Sequence, residues 1–122
     1  MGTHPLNLAV RFVLELAALY ALGLWGWRHG DGVWRFVIAA AIPVIAAALW
    51  GTFAVPGDPS RSGSAPVPVA GLLRLALELG FFAAATLALY DLGYTARTAI
   101  FSAAIVVHYL LSYDRVRWLI SQ

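Results

Sequence analysis

The chain has 122 residues, of which 61% are hydrophobic and 11% charged, with a mean hydropathy of +0.79 and a formal net charge of +2. Such a composition excludes a small soluble domain with a wetted surface. It points to an integral membrane protein of one domain, residues 1–122, with no room for a soluble catalytic unit beside it. The absence of cysteine excludes disulfides, thiol nucleophiles and zinc–thiolate sites, and the absence of any basic run leaves nucleic acid out of the expected partners.

The first apolar segment covers about residues 6–27. No Lys or Arg precedes it, and it is too long and too charged for a cleaved signal peptide, so it is expected to stay as a helix. The polar turn Arg28-His29-Gly30-Asp31-Gly32 leads into a second segment, about 33–53, which carries Pro43. A Pro there frees the carbonyl of Ala39 and is expected to kink the helix. Residues 54–68, rich in Pro, Gly and Ser, read as a surface linker. A third segment, about 69–90, and a fourth, about 96–113, are joined through Asp91-Leu92-Gly93-Tyr94. Each segment is of bilayer length, so the expected fold is all-α: an integral membrane four-helix bundle of two transmembrane hairpins. The tail Asp114-Arg115-Val116-Arg117-Trp118 reads as an interfacial anchor.

The two hairpins read as tandem copies. Arg11 and Arg74, like Glu15 and Glu78, are separated by 63 residues, and Arg35 and Arg97 open the second helix of each unit 62 apart. The similar words Leu19-Tyr20 and Leu89-Tyr90 lie 70 apart, so the register is not kept along the whole helix.

The buried charges are the expected site. At about 1.5 Å per residue, Glu15 falls about 13 Å into the first helix, with Glu78 at nearly the same depth in a parallel one. His108 and Pro43 come out close to that level, so all four helices are expected to meet at a midplane ligand or proton site of Arg11, Glu15, Arg74, Glu78 and His108. The bland alternatives stay beside this one. The i,i+4 pairs can simply fix helix register, and His108 can be a satisfied bundle histidine. Trp25, Trp27 and Trp34 suit a membrane-boundary belt, while Trp25, Trp50 and Tyr90 are candidate pocket or interface aromatics. No H-x-x-x-H or E-x-x-H spacing suggests a metal, and no cofactor motif is present.

Several words taken together carry a family resemblance. They are Asn7-Leu8-Ala9-Val10-Arg11-Phe12-Val13-Leu14-Glu15-Leu16, Gly23-Leu24-Trp25-Gly26-Trp27, Pro43 with Trp50-Gly51-Thr52-Phe53-Ala54-Val55-Pro56, and Arg74-Leu75-Ala76-Leu77-Glu78. The chain resembles the YrdB-like family of small bacterial four-helix membrane proteins. The resemblance covers nearly the whole chain and implies the topology, with no established activity to carry over.

Three functional readings follow. The leading one is proton-coupled binding or transport of a small lipophilic or charged molecule at the Arg/Glu site, with a homo-oligomer supplying room that one four-helix bundle lacks. An alternative is an enzyme in which a protonated Glu15 or Glu78 acts as general acid on an isoprenoid-like substrate. Another is a structural or accessory subunit of a membrane complex, with the ion pairs specifying packing. The lipid bilayer is the expected partner and the cell (inner) membrane the expected location. Arg61, Arg115 and Arg117, with Arg11 and Arg74 near the same boundary, outnumber Arg28, Arg35 and Arg97 and place both termini in the cytoplasm.

Overall fold

A computed structural model describes residues 4–58 and 65–122. The expected linker residues 59–64, including Arg61 of the orientation count, lie outside the described residues, as do residues 1–3.

Helix α1 runs over Pro5–His29. Pro5 suits the first helical position, where a missing N–H costs nothing, and His4 Nδ1 accepts from the Leu6 amide at 3.1 Å. Helix α2 follows over Val33–Thr52 after a turn in which Gly32 takes φ +57°. The two form a tight antiparallel hairpin because glycines on α1 and at its C-cap allow it. A Cβ at Gly26 would stand 2.9 Å from Ile38 Cγ2, and one at Gly30 would stand 2.6 Å from Arg35 Cα. Helix α2 continues through Pro43 without a break, and the Ala39 carbonyl, which Pro43 has no N–H to serve, faces Gly23.

 A Cβ at Gly23 would lie 3.3 Å from the Ala39 oxygen and 3.7 Å from Pro43 Cγ.

At the end of α2 the chain becomes extended. β1, Phe53–Ala54, pairs in parallel with β2, Val67–Pro68, and the Val69 amide donates to the Ala54 carbonyl at 2.9 Å. The described residues of the expected surface linker differ in exposure. Ala54, Val55 and Asp58 are buried while Pro56 and Gly57 are exposed, because the bridge folds this stretch back under the helix ends. Phe53, expected as the last residue of the second helix, is the first of β1.

Helix α3 covers Gly71–Asp91. It stops where Gly93 takes φ +84°, with the Gly93 amide donating to Tyr90 O at 3.0 Å and the Tyr94 amide to Leu89 O at 3.1 Å, a complete Schellman cap. The fourth apolar segment divides. Helix α4, Thr95–Leu111, ends at Ser112, and α5, Tyr113–Ser121, leaves it at 68°. The expected fourth helix ran to residue 113; it stops earlier because Asp114, Arg115 and Arg117 give the next turns a polar face that turns back across the bundle end.

Among the described residues the regular structure is therefore helical apart from one two-residue bridge. Helices α1, α2 and α3 are long and apolar enough to cross a membrane, and α4 with α5 counts as a fourth span only when the bent pair is taken together. The apolar core is Leu14, Ala18, Ala21 and Leu22 of α1 against Phe82, Ala85, Ala88 and Leu89 of α3 and Phe101 of α4. Helix α2 contributes no fully buried residue and packs chiefly on α1.

Candidate functional site

The buried charges gather around one carboxylate. Glu78, with no exposed side-chain surface, accepts from Arg74 Nε at 2.9 Å, from Arg115 Nη1 and Nη2 at 2.9 and 2.7 Å, and from the Tyr109 hydroxyl at 2.8 Å. Arg11 Nη2 lies 3.0 Å from Glu78 Oε1 as an ion pair without hydrogen-bond geometry. Three guanidinium groups thus surround a single carboxylate. Two further acids balance them: Glu15 accepts from Arg11 Nε at 3.0 Å, and Asp58 takes Arg115 through Nε at 2.9 Å and Nη2 at 2.6 Å.

Arg74 and Arg11 also tie down backbone or aromatic surface. Arg74 Nη1 donates to the carbonyls of Trp50 at 2.5 Å and Phe53 at 2.7 Å. It therefore caps the C-terminus of α2, where carbonyls lack intrahelical partners and a cation meets the negative end of the helix dipole. The Trp50 ring lies 4.5 Å from the Arg74 guanidinium and 5.2 Å from that of Arg11, both within cation–π reach. Arg115 is buried, and its hydrogen bonds to Glu78 and Asp58 give its guanidinium two carboxylate partners.

The two Arg-x-x-x-Glu words are not equivalent in space. Helix α3 turns both Arg74 and Glu78 fully inward, whereas α1 turns Arg11 and Leu14 inward and leaves Glu15 with 23% of its side chain exposed. Among the described residues Glu15 takes its charge-assisted hydrogen bond from Arg11, and Arg11 Nη1 is buried with no hydrogen-bond partner.

The structure brings together Arg11, Glu15, Arg74, Glu78 and Trp50. It adds Tyr109, Arg115 and Asp58, which the sequence did not single out. An arginine and an aspartate in polar segments look solvated, and only the fold carries them under the bundle. The one local sign was Arg115 and Leu119 at i,i+4 on one face of an amphipathic tail, and these are the two residues α5 buries. The cluster lies toward the end where α1 and α3 begin, since α5 and the stretch after α2 reach it there.

The other expected site residues lie elsewhere. His108 is buried near that same end, but its Nδ1 is 3.1 Å from Asn7 Oδ1, and Asn7 Nδ2 donates to Ser112 Oγ at 2.7 Å. Pro43 sits against Gly23, two turns beyond Glu15 on α1. Trp25 donates to Asp91 Oδ2 at 2.9 Å at the opposite end, where His29 Nε2 approaches the same carboxylate at 3.2 Å and Arg28 donates to the Tyr94 hydroxyl at 2.6 Å. Tyr90 is exposed. Among the described residues no three of His, Asp and Glu group closely enough to hold a metal ion.

The family described as "Protein of unknown function (DUF2568)" matches residues 9–107. The chain belongs to the DUF2568 family. A relative, "Uncharacterized protein YrdB" of Bacillus subtilis (strain 168), is 40% identical over 116 residues, covering 95% of this chain and 94% of its own. The YrdB-like resemblance is therefore borne out, and the match to DUF2568 spans every helix of the core and the cluster residues on α1 and α3, while Arg115 falls beyond it. No solved structure matches the chain.

Proposed function

We propose that this DUF2568 chain is a four-helix integral protein of the cell membrane, with both termini cytoplasmic, that binds a small lipophilic molecule carrying a charged group at the Arg11–Glu15 edge of the cluster. Proton-coupled transport by a homo-oligomer is the activity such binding would serve. The observation that carries the reading is the inequality of the two pairs. Glu78 faces three arginines and a tyrosine hydroxyl, so it is committed as an anion and acts as the structural centre. Glu15 is partly open, and beside it Arg11 keeps an unused buried donor. A carboxyl held by one cation in an apolar setting can exchange its proton for another partner, whereas one held by three cannot.

The membrane part is supported by three spans, or four with the bent pair, and by large apolar side chains facing outward on every long helix. Phe12, Val13 and Tyr20 on α1, Trp34 and Phe36 on α2, Leu72 and Leu87 on α3, and Ile100 and Leu110 on α4 would be untenable together in water. The arginine count supports the orientation.

One observation favours the accessory-subunit reading as the second. Helix α2 buries nothing fully and leaves Val33, Trp34, Phe36, Val44 and Ile45 outward, a face open to lipid or to another helix. Native mass spectrometry of the chain released gently from its own membranes separates the two. The expected result is a homo-oligomer carrying a defined small molecule that is absent from Glu15→Gln. A chain without a small molecule, held to a different protein, would replace the binding reading with the accessory one.

A further inference from the structure

The end of the bundle that carries the two hairpin turns holds three arginines, Arg28, Arg35 and Arg97, against two acids, Asp31 and Asp91. Among the described residues none of these arginines pairs with a carboxylate. Asp91 is engaged by Trp25 and His29 instead. The arginines lie on aromatic rings. Arg35 stands 4.8 Å from the Trp27 ring, while Arg28, in the last turn of α1, and Arg97, in the first turn of α4, stand 5.7 and 4.6 Å from one and the same ring, that of Tyr94. Both of these side chains belong to exposed residues, and the first turn of α4 holds no acid. Two like charges are thus gathered on one ring with no anion of the chain between them.

The unspent donors lie with the charges. Arg28 Nη2 donates to the Tyr94 hydroxyl at 2.6 Å, so that oxygen serves Arg28 as an acceptor and keeps its own proton to donate. Arg97 makes no hydrogen bond through its guanidinium among the described residues. Two guanidinium forks and a phenolic proton around one ring match the oxygens of a phosphate diester. The level of the group on the molecule indicates the source of that phosphate. Trp27, Trp34 and Tyr90 are exposed at the same end, and such rings sit at the membrane–water boundary, where lipid headgroups lie. Three arginines against two acids call for a headgroup with net negative charge.

We propose that Arg28, Arg97 and the Tyr94 hydroxyl form a binding site for the phosphate of an anionic membrane lipid. The proposal rests on the membrane reading of the chain and not on the Arg11–Glu15 edge, which lies toward the opposite end.

The test takes the full chain from the membrane fraction into detergent, titrates it with phosphatidylglycerol and with phosphatidylcholine of the same acyl chains, and reads retained lipid by native mass spectrometry. Phosphatidylcholine carries the same phosphate with its charge cancelled by the headgroup ammonium. Phosphatidylglycerol is expected to bind about tenfold more tightly. Arg28→Gln combined with Arg97→Gln should bring that ratio to about one, and Tyr94→Phe, which keeps the ring, should lower it. Arg117→Gln, which removes an exposed arginine from the other end, should leave it unchanged. Equal binding of the two lipids to the unaltered chain overturns the proposal without relying on any variant. A ratio lost as fully in Arg117→Gln as in the double variant overturns it too, since the preference would then follow net charge alone, and displacement of phosphatidylglycerol by inorganic phosphate would make the occupant a free anion instead of a lipid. Absence of the chain from the membrane fraction would remove the membrane reading before any lipid is added. Glu15→Gln should leave the ratio unchanged, which keeps this outcome distinct from that of the Arg11–Glu15 reading.

Discussion

Glu78 and Glu15 occupy matching positions in two similar words, and their surroundings give them opposite sensitivities. Removing the charge of Glu78 leaves three buried guanidinium groups with two acids between them, and breaking a buried ion network from one side costs about 3–5 kcal/mol. Glu78→Gln is therefore expected to lower the thermal midpoint in detergent sharply, while Glu15→Gln, at a partly exposed position, should shift it little. Equal shifts would remove the distinction on which the binding proposal rests. The same logic applies to Arg115 and Asp58. Arg115→Met and Asp58→Asn should each destabilise, and a double-mutant cycle should show coupling of about 0.5–3 kcal/mol because the two side chains share two hydrogen bonds. The charges inside apolar runs were legible in the sequence, since hydrocarbon-length context makes any Arg or Glu conspicuous. Tyr109, Asp58 and Arg115 were not, because a tyrosine in a span and charges in a polar tail have ordinary local explanations until tertiary contacts bring them to Glu78.

Among the elements, the four apolar segments and both hairpin turns could be read from Gly, Pro and charge punctuation alone, and the Gly93 turn falls where its sequence placed it. What local pattern did not carry was the path of the chain after α2 and after α4. Both depend on long-range partners: the bridge to Val67–Pro68, the Arg74 cap on α2, and the seating of α5 across the start of α3. That seating rests on Gly71, where an added Cβ would run into the Leu119 carbonyl. No side chain can be accommodated without moving one backbone or the other. Gly71→Ala is accordingly expected to release α5, read as faster hydrogen exchange over residues 113–121. Gly80→Ala is the comparison, because a Cβ there meets nothing within 4 Å and exchange in α5 should stay as it was. Unchanged protection of α5 in Gly71→Ala would mean that Arg115, and not the close backbone approach, holds the helix in place.

For the whole molecule, the arrangement of elements makes a definite statement about sides. The turn at Gly30–Gly32 and the turn at Gly93 lie at one end, tied together by Trp25, His29 and Asp91, while the stretch after α2, the start of α3 and α5 share the other. Under the proposed topology an even number of crossings would put the chain's two ends on one side, with α5 bent by 68° from α4 at that end. Because the chain has no cysteine, single introduced cysteines report on this directly. In oriented membrane vesicles a membrane-impermeant maleimide is expected to label Asp31→Cys and Gly93→Cys from one side and Gln122→Cys only from the other, with Val44→Cys, in the middle of α2, reacting from neither. Labelling of residue 122 from the same side as residue 31 would mean that α4 does not cross. The Arg115–Glu78 contact would then join α5 to α3 from within a re-entrant hairpin, and the cluster would have to be reread as the floor of that hairpin.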